Sequence, residues 1–439
     1  MKTLVQMLRE TPYASYTYSY PHKTAYRPLN PPVPLRDLWA GERRDRLFLY
    51  LHIPFCEMRC GFCNLFTTVN PADDLETVYL AALERQAARV REALGPAQVA
   101  RLAIGGGTPT YLTPEAIDRL FDIAEQGYGA GAAAIPVSVE TSPHTAAPDK
   151  LRLLRERGVD RVSIGVQSFI EAEVRAAGRP QRTETVEAAL EGIHAAGFPT
   201  LNIDLMYGLP GQTVESWLGS LQTALRHAPE ELYLYPLYVR PLTGLGRHPR
   251  EWDDIRLACY RAGRDFLRER GYTQVSMRMF RAPHAPDAGG PVYCCQEDGM
   301  VGLGCGARSY TRALHYSSEY AVGARGVKAI LADYVAKPAA AFDVADYGAR
   351  LDDEEQRRRY IIQSLLQTEG LSRAAYQARF GADPLDDLPV LAELVEHGLA
   401  RVDDGALALT DAGMERSDTI GPWLYSAPVE ESMRGYALR

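Results

Sequence analysis

The sequence predicts an α/β protein: a partial (β/α)6 barrel followed by a C-terminal winged-helix-like α+β domain. Three observations lead there. Between residues 47 and 240, six short apolar runs alternate with segments whose apolar residues recur at helical spacing. Alternation of this kind builds a parallel sheet with crossover helices. After a less regular stretch, residues 346–439 turn to helices and one short hairpin pattern.

Residues 1–46 form an arm rich in Pro and Tyr (Tyr13, Tyr16, Tyr18, Tyr20, Tyr26), expected to pack along the barrel or cover its site. The barrel, 47–240, takes strands over 47–53, 101–104, 135–140, 161–166, 200–208 and 231–239. Its helices fall over 73–94, 114–127, 149–158, 183–197 and 214–228, several followed by a glycine that can close a helix in the left-handed conformation. Residues 241–345 lose the rhythm, with PLTGLGRHP, a helix near 252–270 and a Gly-rich turn, VGLGCGARSY, over 301–310. This region is expected to extend the barrel and line the substrate pocket. Residues 346–439 carry helices within 353–370, 371–381 and 388–398, then a hairpin with Asp404-Gly405 at its turn.

Composition narrows the function. With 48 Lys and Arg against 56 Asp and Glu, the net charge of -8 has the wrong sign for a phosphate-backbone binder, and the acidic C-terminal domain is expected to dock or cover, not to read DNA. Neither an apolar leader nor an 18-residue apolar span is present, so the expectation is a soluble, cytoplasmic protein with no membrane and no nucleic-acid partner. Seven cysteines are too few and too clustered for a disulfide framework.

Three of those cysteines lie in Cys56-Glu57-Met58-Arg59-Cys60-Gly61-Phe62-Cys63, directly after the first strand. C-x3-C-x2-C puts three thiolates on one loop, enough for three corners of a [4Fe-4S] cubane, which ordinarily takes four Cys. The fourth iron is then open to a small ligand. Structural zinc is four-coordinate, and no fourth Cys or His has conventional spacing; His52 reads as a packed, hydrogen-bonded histidine.

The chain resembles the radical S-adenosylmethionine (radical SAM) superfamily, and within it the oxygen-independent coproporphyrinogen III oxidase-like family. The resemblance rests on YLHIPFCEMRCGFCNLF, GGGTPT, ETSP, SIGVQSF and NIDLMYGLPGQT, in that order. It implies that Cys56, Cys60 and Cys63 hold the cluster and that its open iron chelates SAM. Electron transfer then yields a 5'-deoxyadenosyl radical that abstracts hydrogen from a small-molecule substrate, with flavodoxin or ferredoxin as electron donor. The matching positions give Gly106, Gly107 and Thr108 to the methionyl moiety, Glu140 to its ammonium, Arg179 to its carboxylate, Gln167 and Asp204 to the ribose, and Phe62 to the adenine. Tyr50 corresponds to a tyrosine near cluster and substrate. Some relatives hold a second SAM, and Thr141 and Met206 occupy the corresponding positions.

The sequence also departs from the family. Coproporphyrinogen oxidases carry a further Cys two residues after the third ligand, where this chain has Leu65, and the haem-chaperone relatives carry a His-Asn-x-x-Tyr-Trp segment where this chain reads VYCCQEDG. Cys295 and Glu297 in that replacement segment suggest hydrogen-atom and proton donors. The expected reaction is therefore radical methyl or methylene transfer, with oxidative decarboxylation of porphyrinogen propionates second and a non-catalytic haem-binding role third.

Overall fold

The computed structural model describes residues 2–72, 74–131, 135–247, 253–287, 293–403 and 405–437. Trp252, Val292 and Asp404, which belong to the helix, segment and turn expected above, lie outside the described residues.

A single sheet organises the chain. Its strands are β1 (Arg27–Pro34), β2 (Leu47–Ile53), β3 (Val99–Gly106), β4 (Val137–Thr141), β5 (Arg161–Gln167), β6 (Thr200–Tyr207) and β7 (Glu231–Pro236). They continue as β8 (Thr273–Gln274), β9 (Met279–Arg281), β10 (Met300–Leu303), β11 (Arg308–Tyr310), β12 (Leu314–Ser317) and β13 (Val344–Arg350). In space the order is β1-β13-β12-β11-β10-β2-β3-β4-β5-β6-β7-β9-β8. Strands β2 to β7 are parallel neighbours in chain order, the six-stranded unit expected from the alternation.

Crossover helices include Leu75–Leu94, Pro114–Tyr128, Pro148–Glu156, Thr183–Ala196 and Val214–Leu225. Their apolar faces meet one side of the strands, where Leu49, Leu51, Val139, Val162, Ile164, Ile203, Leu205 and Leu234 are buried. The alternate positions point inward and keep partial contact with solvent: Tyr50, Glu140, Gly165, Gln167, Asp204, Tyr233 and Tyr235. Period-two alternation thus separates a dry layer beneath the helices from a polar, aromatic interior.

Two features were not expected. Met300–Leu303, read as part of a turn, is a strand that pairs in parallel with β2, Met300 beside Phe48 and Leu303 beside Leu51. The arm contributes β1, which pairs with β13 at Arg27, Pro28, Val33 and Pro34 but shifts register between them, where Pro31 and Pro32 lack the N–H a ladder needs.

Upstream of β1 the arm crosses the barrel's open side. The Tyr16 ring lies 6.4 Å from that of Tyr235 on β7, while Arg308 on β11 sits over the ring of Tyr18, 4.6 Å from its centre. The arm therefore passes from β7 to β11 within three residues.

The C-terminal region has helices Asp353–Leu365, Arg373–Phe380 and Leu391–Glu396 and a three-stranded sheet of Leu371–Ser372, Ala406–Leu409 and Ala400–Asp403. Further helices at Ser417–Trp423 and Ala427–Arg434 return to the arm: Tyr20 donates to Glu355, which also accepts from Ser426, and the Thr17 and Tyr425 hydroxyls are 2.9 Å apart. No helix among the described residues is long and apolar enough to cross a membrane.

Candidate active site at the C-terminal end of the barrel

Cys56 closes a two-residue strand, Phe55–Cys56, that pairs in parallel with Thr68–Val69 and so draws the loop between them shut. Within it, the Gly61 N–H donates to the Gly178 carbonyl at 3.1 Å and the Gly61 carbonyl accepts from the Leu245 N–H at 2.7 Å. A Cβ on Gly61 would stand 2.6 Å from the Ala177 carbonyl oxygen, so the loop lies against residues 177–178 only because it has none. All three loop cysteines are free thiols, with Cys60 buried and Cys56 and Cys63 partly so.

The glycine turn after β3 is stitched to the same loop. Gly107 N–H donates to the Ile53 carbonyl at 2.7 Å and Thr108 N–H to the Phe55 carbonyl at 2.8 Å. A Cβ on Gly107 would come within 2.9 Å of Cys56 Sγ. Thr108 Oγ1 donates to that sulfur at 3.5 Å.

The ends of β4, β5 and β6 bring polar groups to the same rim. Gly105 leaves room for the Glu140 carboxylate, whose oxygens lie 2.9 Å from where a Cβ would be. Glu140 Oε2 accepts from the Gly106 N–H at 3.0 Å. Desolvation by the surrounding protein pushes the Glu140 carboxyl up to about 7, the charge of Asp204 adding to it against the Gly106 hydrogen bond. Burial likewise raises Asp204 to about 6, opposed by Asn202, whose Nδ2 donates to Oδ1 at 2.8 Å. Gln167 ends β5 in the left-handed region at φ 68°, beside a register shift with β6. Arg179 is held by three acceptors: Cys60 Sγ at 3.0 Å, the Gly165 carbonyl at 2.8 Å and Gln181 Oε1 at 3.2 Å.

Tyr50 faces the interior, its hydroxyl 3.2 Å from His52 Nδ1, while His52 Nε2 is 3.1 Å from the Phe66 carbonyl. Burial pulls His52 down to about 4, leaving it a neutral hydrogen-bonded residue. Phe62 packs against an apolar cluster containing Met206, Ala177, Leu209 and Leu237. The Thr141 hydroxyl is 2.7 Å from that of Thr110 in a buried threonine network.

Cys295 and Glu297 are not part of this rim. They precede β10, and because β10 runs parallel to β2 with Met300 beside Phe48, they fall at the N-terminal end of the barrel. The Tyr293 ring packs on Phe48 at 5.3 Å, and Arg359 of the C-terminal domain donates to the Cys295 and Gln296 carbonyls at 2.6 and 2.9 Å. Phe48 and Ile53 are five strand residues apart, roughly 17 Å at the usual rise, and Cys56 lies beyond. The expectation that Cys295 and Glu297 serve the reacting centre is corrected accordingly. Arg308 and Tyr310, on the strand after the Gly-rich turn, face the interior instead; a single sequence gave no signal for them, because only the direction of β10 decides which side of the turn reaches the site.

The chemistry of the donor set fits the implied cofactors. Three free thiols on one closed loop suit a cluster whose corners are separate irons, and no three His, Cys, Asp or Glu among the described residues converge as ligands of a single ion would. Gly105 to Thr108 leave a cradle that a side chain would fill, flanked by carboxylates and a guanidinium.

Comparison with known proteins agrees. The sequence matches the model of the Radical SAM superfamily over residues 50–224 and that of the HemN C-terminal domain over 351–415. It is 31% identical over 274 residues to the heme chaperone HemW of Escherichia coli, covering 60% of this chain and 69% of that protein. This chain belongs to the radical SAM superfamily. Its cofactors are those of that family, a [4Fe-4S] cluster and S-adenosylmethionine. The oxygen-independent coproporphyrinogen III oxidase of Bradyrhizobium diazoefficiens is 29% identical over 401 residues, 86% of this chain and 85% of that one. In fold, the chain superposes on Escherichia coli coproporphyrinogen III oxidase with a TM-score of 0.78 at 24% identity, covering 96% of this radical SAM chain and 98% of the other.

Proposed function

We infer that this radical SAM protein is an enzyme that cleaves SAM reductively at the C-terminal rim of its barrel and abstracts hydrogen from a small organic substrate held in the tyrosine-lined interior. The observation that carries this is the meeting, at one rim, of the three loop thiols with Gly105 to Thr108, Glu140, Gln167, Arg179 and Asp204. When bound, the cluster and SAM supply the electron and the sulfonium that is cleaved. The protein's part is to bind and orient: Glu140 receives the ammonium, Arg179 the carboxylate through a forked charge-assisted bond, and Gln167 and Asp204 the ribose, while Phe62 and the buried Met206 cluster back the adenine side.

For the reaction, an oxidative, coproporphyrinogen oxidase-type outcome is favoured over methyl or methylene transfer. Relatives of that name span most of the chain, and the thiol and carboxylate that motivated carbon transfer, Cys295 and Glu297, sit at the opposite end of the barrel. Anaerobic turnover with methyl-labelled SAM tests this: 5'-deoxyadenosine forms and no label enters the product. Label in the product together with S-adenosylhomocysteine would restore carbon transfer, and stoichiometric haem binding with no SAM cleavage would favour the chaperone role.

Glu140 makes SAM binding pH-dependent. Its carboxyl is raised to about 7 in the free protein, and a ligand ammonium favours the ionised form. Affinity is therefore fully expressed above that value and lost as pH falls through it. Calorimetry between pH 7.5 and 5.5 is expected to show roughly a tenfold weakening or more, since each unit of pKa shift corresponds to about 1.4 kcal/mol. Glu140→Gln flattens the profile; an unchanged slope in that variant would remove Glu140 from the ammonium site.

A further inference from the structure

One buried carboxylate ties together the two strand ends assigned to the adenosyl half of SAM. Glu173 lies in the short helix Glu171–Ala176 that follows β5 and is only 4% exposed. Its Oε2 accepts from Ser168 Oγ at 2.6 Å and from Gln212 Nε2 at 3.0 Å, and its Oε1 accepts from Ser216 Oγ at 2.5 Å. Ser168 directly follows β5, Gln212 closes the turn after β6, and Ser216 lies in the first turn of the helix Val214–Leu225. A carboxylate taken out of water persists where its oxygens are hydrogen-bonded, and here the bonds come from the ends of both strands.

At β5 the bond bears on Gln167. That residue has φ 68°, where its Cβ crowds the backbone, and such a conformation holds only when its neighbours over-determine it. Both neighbours are fastened. Gln181 Nε2 donates to the Val166 carbonyl at 2.7 Å, and Glu173 takes the Ser168 hydroxyl, whose oxygen accepts in turn from the Ile170 N–H at 3.0 Å. The Gln167 side chain then folds over Gly165, its Nε2 2.9 Å from where a Cβ would stand. At β6 the bond fixes a buried amide. Gln212 Oε1 accepts from the N–H groups of Gly208 at 2.7 Å and Leu209 at 3.3 Å, so its Nε2 must face acceptors, and it finds Glu173 and the Met206 carbonyl. That holds the turn on which Met206 and Leu209 meet Phe62.

We propose that Glu173 is a positioning residue for SAM: without touching the cofactor, it holds Gln167 toward the ribose and the Met206 turn behind the adenine. This rests on the assignment of the adenosyl half to these strand ends and adds the residue that sets both. The methionyl half is fastened by other bonds, Glu140 on the Gly106 N–H and Arg179 on Cys60 Sγ and the Gly165 carbonyl. Glu173 therefore bears on one half of the cofactor and not on the other.

The test titrates anaerobically reconstituted protein calorimetrically with SAM and, separately, with methionine. Glu173→Leu is expected to weaken SAM binding roughly tenfold or more, the scale of buried donors left without an acceptor, and to leave methionine affinity unchanged. Glu173→Gln should recover most of the loss, because its amide oxygen still accepts from Ser168 and Gln212 while its NH2 group donates to Ser216 Oγ. Ser168→Ala, a smaller lesion on the β5 side, should weaken SAM in the same direction and again spare methionine. Iron content and urea denaturation report whether each variant folds; if Glu173→Leu does not, Ser168→Ala decides, and unaltered SAM affinity there overturns the role. Wild-type SAM affinity in a folded Glu173→Leu overturns it too. So does an equal loss of SAM and methionine, because the carboxylate would then support the fold at large. Gln167→Ala checks the underlying assignment: unchanged SAM affinity in that variant would remove Gln167 from the ribose and this role with it. Weakened SAM in Gln167→Ala beside wild-type affinity in Glu173→Leu would overturn the positioning role alone.

Discussion

Cys56→Ala, Cys60→Ala and Cys63→Ala are each expected to abolish the iron-sulfur cluster, while the reconstituted wild type carries about four irons and four sulfides per chain, the content of one cubane. The loop is closed by the strand pair at Phe55–Cys56 and Thr68–Val69 and braced on Gly178, which holds the three thiols together. Three of the four remaining cysteines supply the controls. Cys259 is fully buried with its carbonyl accepting from Trp217 Nε1 at 2.8 Å, and Cys294 and Cys295 sit at the far end of the barrel. Iron and sulfide analysis of Cys259→Ala and Cys295→Ala should match the wild type. Full iron in Cys60→Ala, or its loss in Cys295→Ala, would place the cluster elsewhere.

The contrast between those cysteines marks how far the sequence could be read. Each barrel strand announces itself because its helix-facing residues form an apolar run, and 47–53 and Leu47–Ile53 coincide. The rim residues were legible for the same reason: Glu140 ends such a run, Gln167 follows one and Asp204 lies in the second half of another, so once the strands are parallel they fall toward one end. What failed was direction. Met300–Leu303 is hidden among glycines, and its parallel pairing with β2 sends the preceding segment to one end of the barrel and the following residues to the other. Cys295 precedes that strand and Arg308 follows it, so the two fall toward opposite ends of the barrel. The edge strand Arg27–Pro34 escaped notice because its prolines interrupt the ladder and it has no apolar run.

Arg278→Met is expected to destabilise the protein by about 3 to 5 kcal/mol, the usual cost of leaving one member of a buried ion pair uncompensated. Arg278 and Asp418 are almost wholly buried, and Asp418 accepts from both the Arg278 guanidinium and the Tyr238 hydroxyl. The guanidinium also stacks on Tyr16, 3.7 Å from its ring centre. One contact therefore joins three parts of the chain: the loop before β9, the C-terminal helix Ser417–Trp423 and the arm that spans the barrel. The pair is expected to show its strength only when it is broken from one side, because removing both charges removes the desolvation cost as well. Urea denaturation should accordingly show a large loss for Arg278→Met and a much smaller one for Arg278→Met combined with Asp418→Asn, which retains an acceptor for Tyr238. Limited proteolysis adds a spatial readout, since release of Asp418 should expose the arm around Tyr16 before the barrel itself opens. If the single and double variants lose the same stability, the ion pair is not what fastens the arm and the C-terminal helix to the barrel, and the stacking of Arg278 on Tyr16 carries that load.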